Sequence, residues 1–179
     1  MFSYRMILAA AAFAGASGAA HAAVSVGDQR FVESAARDGM AEVALARLAQ
    51  QKALRGEVRE FAERMAADHA KANEELARLA AEKGFEMPDG PSRDHQRLQQ
   101  RLGELVGADF DREYMKHMAD QHKKAVSLFD KQAKRGKDPD LKAFAQRQLP
   151  GLQGHYQAAL GTRDLWKPHA GEKRRVPPQ

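Results

Sequence analysis

Residues 58–80 read VREFAERMAADHAKANEELARLA. Placed at about 100° per residue, Val58, Phe61, Ala62, Met65, Leu76 and Ala80 fall on one stripe, and the charged residues fall opposite it. A strand would need alternation with a period of two, and the segment has none. It is an amphipathic helix, and Gly84 supplies a C-terminal stop. One polar residue breaks the pattern: His69 sits near the centre of the apolar stripe.

The same reading extends outward to three more long helices. The first covers residues about 26–54, with Asp28 near its start and a stripe of Phe31, Ala35, Leu45, Ala46 and Ala49. The third long helix covers about 109–134 and stops at Gly136; its stripe is Phe110, Tyr114, Met118, Ala125 and Phe129. The fourth follows Asp138-Pro139, a cap followed by a proline, and runs to about residue 165 with Leu141, Ala145, Leu152, Tyr156 and Ala159 inward. Pro150 inside it predicts a kink or a break near Leu149. Short links at Arg55-Gly56 and at 136–139 make antiparallel hairpins. Between the hairpins, residues 84–108 hold a turn-rich piece and a short amphipathic helix at about 94–105. The expected fold is therefore all-α: a ferritin-like four-helix bundle of two antiparallel hairpins joined by a long crossover containing a short helix.

The ends of the chain read differently. Arg5, the apolar run of residues 6–20 and the Ala20-His21-Ala22 site form a secretory signal, cleaved near Ala22. The run is short for a membrane span, which needs about 20 apolar residues. The mature chain is thus expected to have no transmembrane span and to lie in the periplasm or be secreted. The expected parts are residues 1–22 as signal, 23–165 as bundle and 166–179 as a basic, proline-containing tail without a fixed fold. Arg5 is the only charged residue of the signal, so its removal lowers the formal charge of +5 to +4. The chain has no cysteine, which excludes disulfides, thiolate metal sites and a lipidated N-terminal cysteine.

Each long helix carries one carboxylate or imidazole on or near its inward stripe: Glu42, His69, His122 and His155. Counted from the two hairpin turns, Glu42 and His69 lie level, whereas His122 and His155 are offset by roughly 4–5 Å at about 1.5 Å per residue. Imidazoles with one carboxylate suit a single transition metal ion, Zn, Cu or Fe. The alternative is a buried polar network with Asp111 and Tyr114 as neighbours. His117 lies about 100° off the stripe and flanks it. Met65 and Met118 precede His69 and His122 by four residues, a spacing that serves packing as well as thioether ligation. The strings MAADHAKA (65–72) and MADQHKKA (118–125) are alike, but they join the second long helix to the third. A duplicated hairpin would join the first to the third, so no hairpin repeat is expected.

Several chemistries are excluded. Carboxylate-bridged di-iron bundles require Glu-x-x-His pairs, and the chain contains none. A metal-dependent redox enzyme is accordingly the weakest reading, and no catalytic residue is assigned. Phosphate-binding, dinucleotide-binding and nucleophile-elbow motifs are also missing. Lys123, Lys124, Lys131, Lys134, Arg135 and Lys137 make the end of the third long helix basic. With Lys173, Arg174 and Arg175 of the tail, they offer an anionic envelope surface a place to bind, the basis of a rival reading as an interaction module. Nucleic acid is not an expected partner.

Four stretches resemble a known family: residues 28–49 (DQRFVESAARDGMAEVALARLA), 58–80, 110–133 (FDREYMKHMADQHKKAVSLFDKQA) and 141–159 (LKAFAQRQLPGLQGHYQAA). They resemble the exported bacterial ferritin-like proteins of unknown function, domain-of-unknown-function family 4142. The resemblance implies a periplasmic four-helix bundle with recurrent polar positions at Glu42, Asp68-His69, Phe110-Asp111, Tyr114, His122, Pro150 and His155; a stress- or envelope-associated role is our own expectation beside it. It implies no activity.

Overall fold

Ser25 opens the first helix by accepting a hydrogen bond from Asp28 N on its hydroxyl, the usual work of an N-cap serine. The structure, a computed structural model, describes residues 24–165; the expected signal and the expected tail lie outside the described residues. Five helices follow one another: α1 (Val26–Lys52), α2 (Gly56–Lys83), α3 (Arg93–Glu104), α4 (Gly107–Arg135) and α5 (Pro139–Asp164). Among the described residues every regular element is helical, and no helix is long and apolar enough to cross a membrane.

The four long helices form the expected all-α bundle of two hairpins, α1 with α2 and α4 with α5, joined by the crossover that carries α3. Gly84 ends α2 at φ +73°, a left-handed turn that a side chain would strain. Asp138 caps α5 through Asp140 N and Leu141 N, with Pro139 in the first turn. The expected break at Pro150 does not occur; α5 continues through it to Asp164. Pro150 and Gln146 are both exposed, so the Gln146 carbonyl that loses its helical donor can turn to water.

Asp28 also has a second role, distinct from its place at the start of α1. Its buried carboxylate crosses to the α4–α5 turn, accepting hydrogen bonds from Lys137 N, Asp138 N and Gln132 Nε2. At the other end Asp111 of α4 crosses to the α1–α2 turn and accepts from Leu54 N and Arg55 N. A shift of 83 positions carries Asp28 to Asp111 and Leu54-Arg55 to Lys137-Asp138. The same shift carries Val58 to Leu141 and Phe61-Ala62 to Phe144-Ala145, all buried. It also carries the edge-on pair Tyr114–Phe61 (centroids 6.3 Å) onto Phe31–Phe144 (6.4 Å). The two hairpins are therefore built alike, which corrects the expectation of no hairpin repeat. The likeness between residues 65–72 and 118–125 belongs to a different shift and hid this one.

The core lies in two apolar clusters. One, around Leu45, Phe61, Met65, Phe110 and Met118, fills the end near the α1–α2 turn. The other, around Phe31, Leu76, Phe129, Leu141 and Phe144, fills the end near the α4–α5 turn. Met65 and Met118 both pack in the first cluster. Between the two clusters lie Glu42, His69, His122 and His155, which share one cavity.

Candidate metal centre

His69 of α2, His122 of α4 and His155 of α5 meet in that intermediate layer. Their ring centroids are 5.5, 5.7 and 5.4 Å apart. One ring nitrogen from each histidine lies within 4.8 Å of the other two. His69 Nε2 and His122 Nε2 are 3.4 Å apart. Two donors bound tetrahedrally at about 2.0–2.1 Å would be separated by about 3.3 Å. That pair already has the spacing of two ligands, and a ring nitrogen of His155 lies within 4.8 Å of both.

The hydrogen bonds behind the rings select their tautomers. His122 Nδ1 lies 2.9 Å from the Met118 carbonyl oxygen, so Nδ1 carries the proton and donates, and Nε2 is left bare. His155 Nε2 lies 2.8 Å from Asp68 Oδ2, so Nε2 donates to the carboxylate and Nδ1 is left bare. That Nδ1 is buried and has no hydrogen-bond partner. A protein-only network is satisfied by a His69 Nε2–H donating to His122 Nε2, but it leaves the His155 nitrogen orphaned. Carboxylate and carbonyl groups behind imidazoles are the usual outer support of metal-ligating histidines.

Burial keeps the rings of His69 and His122 neutral. Burial first, then the neighbouring His122 and His155, lowers the pKa of His69 to about 3. Burial also lowers His122 to about 4, against the opposing hydrogen bond to Met118. Neutral imidazole is the form that ligates, so no proton needs to leave these two rings at neutral pH.

The other candidates are placed differently. Glu42 is buried and lines the same cavity as the histidines, but it is not one of the three mutually close donors. Its Oε2 has no hydrogen-bond partner; burial, helped by Asp38, pushes its pKa up to about 8. Tyr114 packs against Phe61 and Phe110, its hydroxyl buried and unpartnered. Burial, then Glu42, raises its pKa well above the ordinary value. Asp111, expected as a network neighbour, is committed to the α1–α2 turn. His117 stands apart, with His95 and Asp38 near the crossover helix; burial and then His95 lower it to about 4. At the basic end of α4, Lys134 is paired with Asp130 at 2.8 Å.

Sequence reading missed two elements of the site. Asp68 appeared only as the neighbour of His69; pointing 100° away from it, the side chain reaches α5. The second is a cavity of about 410 Å³ beside the histidines, reaching the surface at Lys71 and Arg147. The 83-residue shift explains its position. The counterparts of His122, His69 and His155 are Gly39, Leu152 and Ala72, and all three line the cavity. A Cβ on Gly39 would overlap the Asn73 side-chain oxygen, so a larger residue there would displace the Asn73 side chain.

Among curated proteins, none matches the chain. A similar solved structure is the crystal structure of a DUF305 fragment from Deinococcus radiodurans, with a TM-score of 0.69 at 15% identity. The match covers 79% of this chain and 97% of that one; at this identity the likeness is one of fold. The sequence model described as "Domain of unknown function (DUF4142)" matches residues 14–161, most of the chain and all four long helices but the end of α5. The chain therefore belongs to the DUF4142 family, in agreement with the resemblance of its helical stretches.

Proposed function

We propose that this protein is exported to the periplasm, or beyond it, where it holds one transition metal ion on His69, His122 and His155. The observation that carries the reading is the orphaned, buried Nδ1 of His155 in a cluster that brings ring nitrogens of His69 and His122 within 4.8 Å. A metal ion satisfies all three at once. Three imidazoles without a carboxylate favour Zn or Cu over Fe. Export rests on the signal-like residues 1–22, with 23–165 as the mature bundle and 166–179 as its tail. The hairpin–crossover–hairpin connectivity fits a ferritin-like origin without di-iron chemistry, and the role is binding in the cell envelope rather than turnover.

The test is the metal content of untagged protein recovered from the periplasm, for wild type and His69→Ala/His122→Ala. The proposal expects about one equivalent of zinc or copper in the wild type and loss of it in the double variant. A metal-free wild type that also gains no thermal stability from added zinc or copper salts would refute it.

A further inference from the structure

The histidines occupy one side of a cavity whose other side is apolar. Leu76, Leu128, Phe129, Phe144 and Leu152 line it below the imidazoles. Glu42 faces the same space with a buried oxygen that no protein group satisfies. At about 410 Å³ the space lies at the lower end of small-molecule pockets. It is far larger than the packing voids of a protein interior. The duplicated architecture contributes to its position, because Gly39 and Ala72 of the first hairpin stand where the second hairpin carries His122 and His155. Gly39, Ala72 and Ala125 are the counterparts of His122, His155 and Glu42.

We infer that this cavity binds a small monocarboxylate with an apolar body of roughly ten non-hydrogen atoms, its head on the metal and its tail against Phe129, Phe144 and Leu152. The inference rests on the three-histidine metal reading. Three protein ligands leave a fourth position open on zinc, and a metal held by neutral imidazoles carries an uncompensated positive charge that favours an anionic head. Glu42, protonated in its buried setting, donates to the second carboxylate oxygen. The metal supplies the positive charge beside the imidazoles that the head needs, so binding of metal and of carboxylate must be coupled. Of the cations that line the cavity, Lys71 is exposed and Arg147 is paired with Glu75 at 2.6 Å.

The experiment is calorimetric titration of octanoate into the full mature chain, metal-free and zinc-loaded, with zinc content measured in every sample. The expected result is one octanoate per zinc-loaded chain, bound at least about tenfold more weakly without zinc. Ala125→Phe, which fills the cavity, and Glu42→Leu, which removes the donor, should each retain zinc and weaken octanoate by about tenfold or more. The second variant buries no new bulk, so a folding failure of the first leaves the test intact. Zinc bound without saturable octanoate overturns this inference and spares the metal site. Equal octanoate affinity with and without zinc also overturns it. A chain that takes no zinc overturns the metal reading and this inference together.

Discussion

Asp68 of α2 and His155 of α5 are joined across the bundle at 2.8 Å, and this contact turns the bare Nδ1 of the imidazole inward. The carboxylate is largely exposed while the ring is largely covered, at 58% and 15% of their side-chain surfaces. An exposed partner of this kind contributes little to stability, but it fixes the tautomer and orientation of a ligand. Asp68→Ala should therefore lower zinc affinity by about 10–100-fold and leave the unfolding midpoint of the metal-free protein nearly unchanged. Competition against a chromophoric chelator measures the first, and urea unfolding measures the second. Unchanged affinity would mean that His155 is not a ligand.

Glu42 and the histidines act on stability in opposite directions with pH. The Glu42 pKa rises from 4.5 unfolded to about 8 folded, so between these values the unfolded chain has released a proton that the fold retains. Unfolding becomes easier as pH rises through that window. His69 and His122 fall from 6.5 to about 3 and about 4. Below pH 6.5 the unfolded chain binds protons that the fold refuses, and stability is lost as pH falls. In metal-free protein, Glu42→Gln should gain on wild type from pH 5 to pH 8, by on the order of a few kcal/mol at the upper end. His69→Ala should flatten the acid limb below pH 6.5. Urea unfolding at pH 5, 6.5 and 8 checks both, and curves parallel to wild type would contradict the account.

Asp28 and Asp111 hold opposite turns by equivalent bonds, so their removal should have similar effects. Each alanine variant leaves backbone N–H groups of a turn without an acceptor, a loss of about 2–4 kcal/mol. Denaturant titration of the two variants should give comparable losses. A near-neutral effect at either position would break the equivalence of the hairpins.

Much of this was legible in the residues. Periodicity and caps placed four long helices, and the wheel put His69, His122 and His155 inside. Wheel position and height along an axis do not include the crossing of helices, however. That is why His155, offset on paper, lies 5.4 Å from His122 between ring centroids, whereas Glu42, level on paper with His69, stays outside the donor group. The reciprocal capping by Asp28 and Asp111 was hidden because each partner lies in the other hairpin. Conservative changes such as Val58 to Leu141 and Phe31 to Tyr114 disguised the repeat, while the louder likeness of 65–72 to 118–125 drew attention to the wrong helices. The cavity was hidden because glycine and alanine inside a helix read as ordinary packing.

X-ray absorption at the zinc edge of the loaded mature protein tests the central claim most directly. The account predicts three imidazole nitrogens at about 2.0–2.1 Å, falling to two in His155→Ala. A zinc shell dominated by carboxylate or water oxygens, or one unchanged in His155→Ala, would contradict it.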